Sequence, residues 1–197
     1  MNESVKEQKK NKVTELLSVL KKLTTEKYAL VNQELKSVDE YVRILYIRLL
    51  CTIAEYENVP TESQQLYLRR IVSGLAIEGN LEEHMRQSLD ISETDLREFL
   101  SYIKESSLRY YFVLDGLILT GMTSVSEENR DYLAQLIELC SVTKKELQQL
   151  CVIARSVIQQ DSALFDVAKK CGNENIAYLD FTPYVQNYYA GAIIDTD

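Results

Sequence analysis

The sequence predicts an all-α protein: a helical bundle of about eight or nine helices, with a long N-terminal helix ahead of two pseudo-repeated helical units. Three observations predict it. Gly and Pro number only 6 and 2 in 197 residues, too few for the turns of a β-sandwich or barrel. Apolar residues recur at three- and four-residue spacing along most of the chain, the period of a helix with one buried face. Ser, Thr or Asn stands three residues ahead of Glu, Gln or Asp before several of these runs, which marks a helix start.

The first helix is expected over residues 3–36. Its apolar stripe runs Val13, Leu16, Leu17, Leu20, Leu23, Tyr28, Val31, Leu35. The spacing resembles a coiled-coil seam weakened at Thr24 and Lys27, and either the rest of the chain or a second copy would cover it. Ser37 with Glu40 forms a capping pair ahead of Val42, Leu45, Tyr46, Leu49, Leu50 and Ile53, a helix expected to end near Glu57–Asn58. Thr61 with Gln64 opens the next, with Leu68, Ile71, Val72 and Leu75 on one face and Gly79 as its stop. Asn80 with Glu83 opens a short helix to about Leu89. Ser92 with Asp95 and Thr143 with Glu146 are further caps, each inside a hydrophobic staple (Ile91 with Leu96, Val142 with Leu147). Helices are expected over 107–121 and 127–140, then from Asp161–Ser162 to Gly172. Thr182–Pro183 reads as a cap followed by proline at the first helical position. The units are therefore 1–36, the N-terminal amphipathic helix; 37–105 and 106–172, two helical units; and 173–197, a Tyr-rich helix or tail.

The two middle units match each other. YIRLLCTIAEYENVPTESQQLYL from Tyr46 lies over YFVLDGLILTGMTSVSEENRDYL at an offset of 65 positions (Tyr111 over Tyr46). The staples match at an offset of 51 (Thr143 over Ser92), so the first unit carries extra residues near Ile77–Asp90. An internal duplication is expected.

Composition narrows function. Apolar residues at 46% and charged residues at 26% describe a chain with a core. A net charge of −8 repels phosphate backbones and predicts no nucleic-acid partner. The lysines at 6, 9, 10, 12, 21 and 22 are interleaved with Glu3, Glu7 and Glu15 and read as a solvated helix face. No apolar run approaches the ~18 residues a spanning helix requires, and the polar N-terminus lacks the apolar stretch of a secretory signal. Cys51, Cys140, Cys151 and Cys171 form no C-x-x-C pair and read as reduced, mostly buried thiols of a cytoplasmic protein.

No catalytic constellation is recognisable. His84 is the only histidine, which excludes a two-His relay or His-based metal site within one chain. Phosphate-cradling and nucleophile-elbow motifs are missing. Two acidic clusters bracket inter-helix turns: Glu55, Glu57 and Glu62, and Asp115, Glu127 and Glu128. Oxygen ligands of this type suit Ca²⁺ or Mg²⁺. Glu57, Glu62, Asp115 and Glu127 are the metal candidates, although Asp115 is expected simply to reach the surface of its helix, with Gly116 allowing close helix packing. Leu16 and Leu20 in the N-terminal stripe, and Tyr184, Tyr188 and Tyr189 in the tail, are candidate interaction residues.

The stretch FVLDGLILTGMTSVSEENRDYLAQLIELCSVTKKELQQLCVIARSVIQQD resembles the TerB-like family of bacterial tellurite-resistance and stress proteins, over about Tyr111–Phe165, with Tyr46–Ile103 as a fainter copy. The family's helix restart is matched by Ser141-Val142-Thr143 through Glu146-Leu147 and by Asp90-Ile91-Ser92 through Asp95-Leu96. Its acidic Asp-Gly turn, linked to divalent metal, is replaced by Thr120-Gly121 and Tyr56-Glu57, and only Glu62 and Glu127 fit. The resemblance implies helix pairs around a shared core and a place in stress or defence assemblies, with peripheral association at the inner membrane face. The expected function is a non-enzymatic adaptor or scaffold module that binds a protein partner, including itself through the N-terminal helix. The alternative is a divalent-metal sensor.

Overall fold

The structure is a computed structural model that describes residues 2–56, 59–123, 126–170 and 174–185. Among them are eleven helices and no strand: α1 (Asn2–Lys27), α2 (Gln33–Lys36), α3 (Glu40–Glu55), α4 (Glu62–Leu75), α5 (Leu81–Ser88), α6 (Glu93–Lys104), α7 (Leu108–Gly121), α8 (Glu127–Leu139), α9 (Lys144–Gln159), α10 (Ser162–Lys170) and α11 (Glu174–Ala177). A further helical turn stands at 182–185. The protein is an all-α helical bundle.

Two helices form its centre. α7 reads LRYYFVLDGLILTG and is buried on nearly every side, as an all-apolar helix must be. α3 packs against it, with Tyr46, Ile47, Leu50, Cys51 and Ile53 at or below 1% exposure. α4, α5, α6 and α8 surround α3, and α6, α8 and α9 surround α7. Tyr46, Phe99 and Phe112 meet edge-on in the core, with ring centroids 5.1–6.3 Å apart, a favourable quadrupolar arrangement. A Cβ on Gly116 would lie 2.9 Å from Leu133 Cδ1 and 3.4 Å from Ile53 Cδ1, so this glycine lets α7 approach α8 and α3 closely.

Local capping sets most helix starts. Thr61–Gln64, Ser92–Asp95 and Thr143–Glu146 are complete capping boxes, and Asn80, Ser126 and Asp161 each accept a first-turn backbone N–H. Ile91, Leu96, Val142 and Leu147 are half-buried against the core beside their caps. α4 and α8 begin 65 positions apart (Glu62, Glu127), α6 and α9 begin 51 apart (Glu93, Lys144), and α5 occupies the extra stretch of the first unit.

Five expectations are corrected. The N-terminal helix does not run to residue 36. It stops at Lys27 because the Leu30 N–H donates to the Arg70 carbonyl at 2.9 Å, and the chain crosses α4 where Gly74 leaves no room for a Cβ. Asn32 then caps α2. Ser37 closes α2 rather than opening α3, its hydroxyl donating to the Glu34 carbonyl at 2.7 Å. α4 ends at Leu75 with left-handed Ala76 (φ 51°), not at Gly79, and the Arg43 guanidinium donates to the carbonyls of Leu75 and Ala76. Thr182 does not cap the last turn. Its N–H donates to Asp180 Oδ1 at 3.0 Å. Cys151 is exposed, while Cys51 and Cys140 are buried. Cys171, Gly172 and the expected helix end at Glu57–Asn58 lie outside the described residues.

Candidate functional site

Two features stand out from the packed body. The first is an uncovered helix. Every residue from 10 to 23 of α1 is exposed, a stretch of about 21 Å at 1.5 Å per residue. Val13, Leu16, Leu17, Val19, Leu20 and Leu23 are each between 49% and 58% exposed. Burial begins only afterwards: Thr25 is buried, and α1 lies against α4. Lys21 reaches Glu62 at 3.3 Å, but both side chains are largely in water, where such a pair adds little. The apolar stripe therefore meets solvent.

The second feature is a buried carboxylate. Asp115, 1% exposed, accepts a hydrogen bond from the Tyr46 hydroxyl at 2.5 Å and from the Tyr67 hydroxyl at 2.7 Å. Tyr184 donates as well. Burial pushes the Asp115 pKa up to about 6 against the pull of these three donors. The same burial, with the negative charge beside them, raises Tyr46 and Tyr184 well above the usual phenol range. The donors come from α3, α4 and the turn at 182–185. Asp115 thus ties three distant segments together. Tyr111 extends the tie: its hydroxyl accepts the Asp180 N–H at 3.2 Å, and its ring lies against Phe181 and Tyr184.

Glu146 is an instructive contrast. It too is buried, at 2% exposure, and burial pushes its pKa up. Donors from Asn175 and Tyr110 and the Thr143 N–H outweigh that and hold it at about 2. Glu146 sits in the first turn of α9, where the helix terminus also favours negative charge. Asp115 sits mid-helix, without that help.

The residues singled out in the sequence separate accordingly. Leu16 and Leu20 are exposed at 55% and 58%. Tyr184 is in the core at 5%, which removes it from any interaction surface. Tyr188, Tyr189 and Glu57 lie outside the described residues. The metal candidates diverge. Asp115 does not reach its helix surface, and both of its oxygens are engaged by tyrosines. Glu62 faces solvent beside Lys21, and Glu127 is exposed in the first turn of α8. Among the described residues no three His, Cys, Asp or Glu side chains gather as a metal site. His84 is buried, with its pKa lowered by burial and by Arg48. Burial raises the thiol pKa of Cys51 and Cys140, and partial desolvation raises that of the more exposed Cys151, so none of the three has the lowered pKa of an activated thiol.

Sequence reasoning missed Tyr46 and Tyr67 as partners of Asp115. One signal was present. YYFVLDGLIL has no polar face, so a carboxylate inside it had nowhere to go but the core, where it needs donors, and the chain holds 13 tyrosines to supply them.

Among the described residues no helix is long and apolar enough to cross a membrane. Comparison with protein-family models, with curated proteins and with solved structures finds no match.

Proposed function

We propose that this chain is a non-enzymatic interaction module, an adaptor or scaffold that holds a protein partner along α1 while the body serves as a rigid platform. The observation that carries this reading is the uncovered stripe from Val13 to Leu23. A lone helix of this length is marginal in water, and burying the exposed half of six such side chains contributes about 5–9 kcal/mol. That is enough to hold a partner against the entropic cost of association when the surfaces fit. The platform is built for rigidity: Asp115 joins α3, α4, α7 and the C-terminal turn through buried hydrogen bonds.

A bacterial stress or defence setting in the cytoplasm is part of the same proposal. The TerB-like restart motifs support it, since both fall on complete capping boxes, at Ser92–Asp95 and Thr143–Glu146. The matching helix starts of the two units support descent from one duplicated helical unit.

The test is the double substitution Leu16→Asp with Leu20→Asp. Both positions are exposed, so the urea midpoint of the body should not move. Assembly, read as solution mass and as partner recovered on the tagged chain, should be lost. Unchanged assembly would remove the reading.

A further inference from the structure

α1 differs in charge from the rest of the chain. Residues 1–22 hold six lysines and three glutamates, a charge of +3, which leaves −11 for the remainder of a chain whose net charge is −8. The exposed stripe also has a symmetry of its own. Val13, Leu16, Leu20 and Leu23 are spaced three, four and three residues apart. That is the alternation of a and d positions in a heptad seam, and it reads the same in both directions about position 18.

We propose that the partner of α1 is the α1 of a second copy, docked antiparallel about a two-fold axis beside Ser18. This rests on the reading of α1 as an interaction surface and names its occupant. In that register every apolar layer meets an apolar layer: Val13 faces the partner's Leu23, and Leu16 faces the partner's Leu20. Leu17 and Val19 flank the axis, where each meets its own copy. At either end Lys12 stands opposite the partner's Glu26, giving two symmetric pairs of opposite charge.

A parallel pair is the poorer arrangement on the same observations. It would leave Lys12 facing the partner's Leu17 and form no pair of opposite charges, whereas a lysine layer at position 27 arises in either orientation. Because α1 joins the body at its C-terminal end, it would also set two acidic bodies side by side. The antiparallel pair puts the bodies at opposite ends. It lays the lysine-rich start of each arm toward the acidic body of the other copy. A two-fold contact of this kind is closed, so assembly stops at the dimer.

The experiment has two arms. Sedimentation equilibrium of the full chain, from about 1 μM to about 1 mM where a short seam associates, should show mass rising from 22.7 kDa to twice that value. The rise should vanish with Leu16→Asp and Leu20→Asp. For orientation, Leu16→Cys and Leu20→Cys chains, one of them tagged, are mixed in a glutathione redox buffer. Both carry Cys151→Ser and Cys171→Ser. The antiparallel pair yields the mixed 16–20 disulfide, whereas 16–16 and 20–20 products would overturn the antiparallel arrangement. A chain that stays monomeric yet captures a different protein through Leu16 and Leu20 would overturn the second copy and leave the interaction reading intact. A monomer that dimerises only when cut after Val185 would give the stripe to the chain's own last residues, and would equally overturn the proposal.

Discussion

α7 and the arm of α1 are stretches of equal length with opposite surroundings. α7 has 14 residues, of which eleven are buried. Residues 10–23 of α1 are also 14, and every one is exposed. Both are helical and both carry leucines and valines at helical spacing. The difference lies in what their other faces offer. α7 has no polar face, so the chain must wrap it, and α3, α8 and α9 do so. The arm has Lys10, Lys12, Glu15, Lys21 and Lys22 around its stripe, so it is tolerated in water with one face unsatisfied. Periodicity thus says that a helix forms and which face is apolar. Whether that face is closed by the same chain depends on how much of the circumference is apolar.

The sharpest way to break this contrast is at Asp115. Asp115→Ala leaves three buried tyrosine hydroxyls without their acceptor and should destabilise the body by about 3–5 kcal/mol, read by urea unfolding, with no comparable penalty from any single substitution in residues 10–23. A pH series sharpens the same point. The native pKa of about 6 lies above the ordinary 3.8. The folded state therefore keeps its proton through a window in which the unfolded state has lost it. Stability should fall as pH rises from about 4 to about 6, by on the order of 3 kcal/mol, and be level above that. Asp115→Asn should abolish this slope. Glu146, held at about 2 against 4.5, gives the opposite slope, its stability being lost as pH falls from about 4.5 towards 2.

Smaller effects should appear where arm and body join. Gly74→Ala would place a Cβ 1.8 Å from the Leu30 carbonyl oxygen. It should cost about 1–3 kcal/mol and open residues 28–32 to proteolysis while the core stays folded. Ala76 holds a left-handed φ of 51°, which glycine adopts freely. Ala76→Gly should raise stability by about 1 kcal/mol, measured by the thermal midpoint. Millimolar Ca²⁺ or Mg²⁺ should leave that midpoint where it is, because Asp115, Glu62 and Glu127 point to different surroundings; a clear upward shift would revive the metal reading.

The features legible in the sequence were those set within one or two helical turns. The boxes at Thr61, Ser92 and Thr143 involve partners three residues apart, and the starts of the helices they open were placed to within a residue. The features that were not legible depend on distant partners. Asp115 is 69 and 48 residues from Tyr46 and Tyr67. The break after Lys27 is made by Arg70 and Gly74, which no pattern near residue 28 announces. The exposed stripe was readable in its spacing at Leu16 and Leu20, while the absence of a cover from α2 to α11 became visible only in the fold.

The most direct test of the central claim is backbone hydrogen exchange at two protein concentrations, on the native chain and on the Leu16→Asp, Leu20→Asp variant. If α1 is closed by a second copy, amides of residues 10–23 gain protection as concentration rises and lose it in the variant, while α3 and α7 exchange equally slowly throughout. Protection of residues 10–23 that ignores both concentration and the stripe would contradict the account.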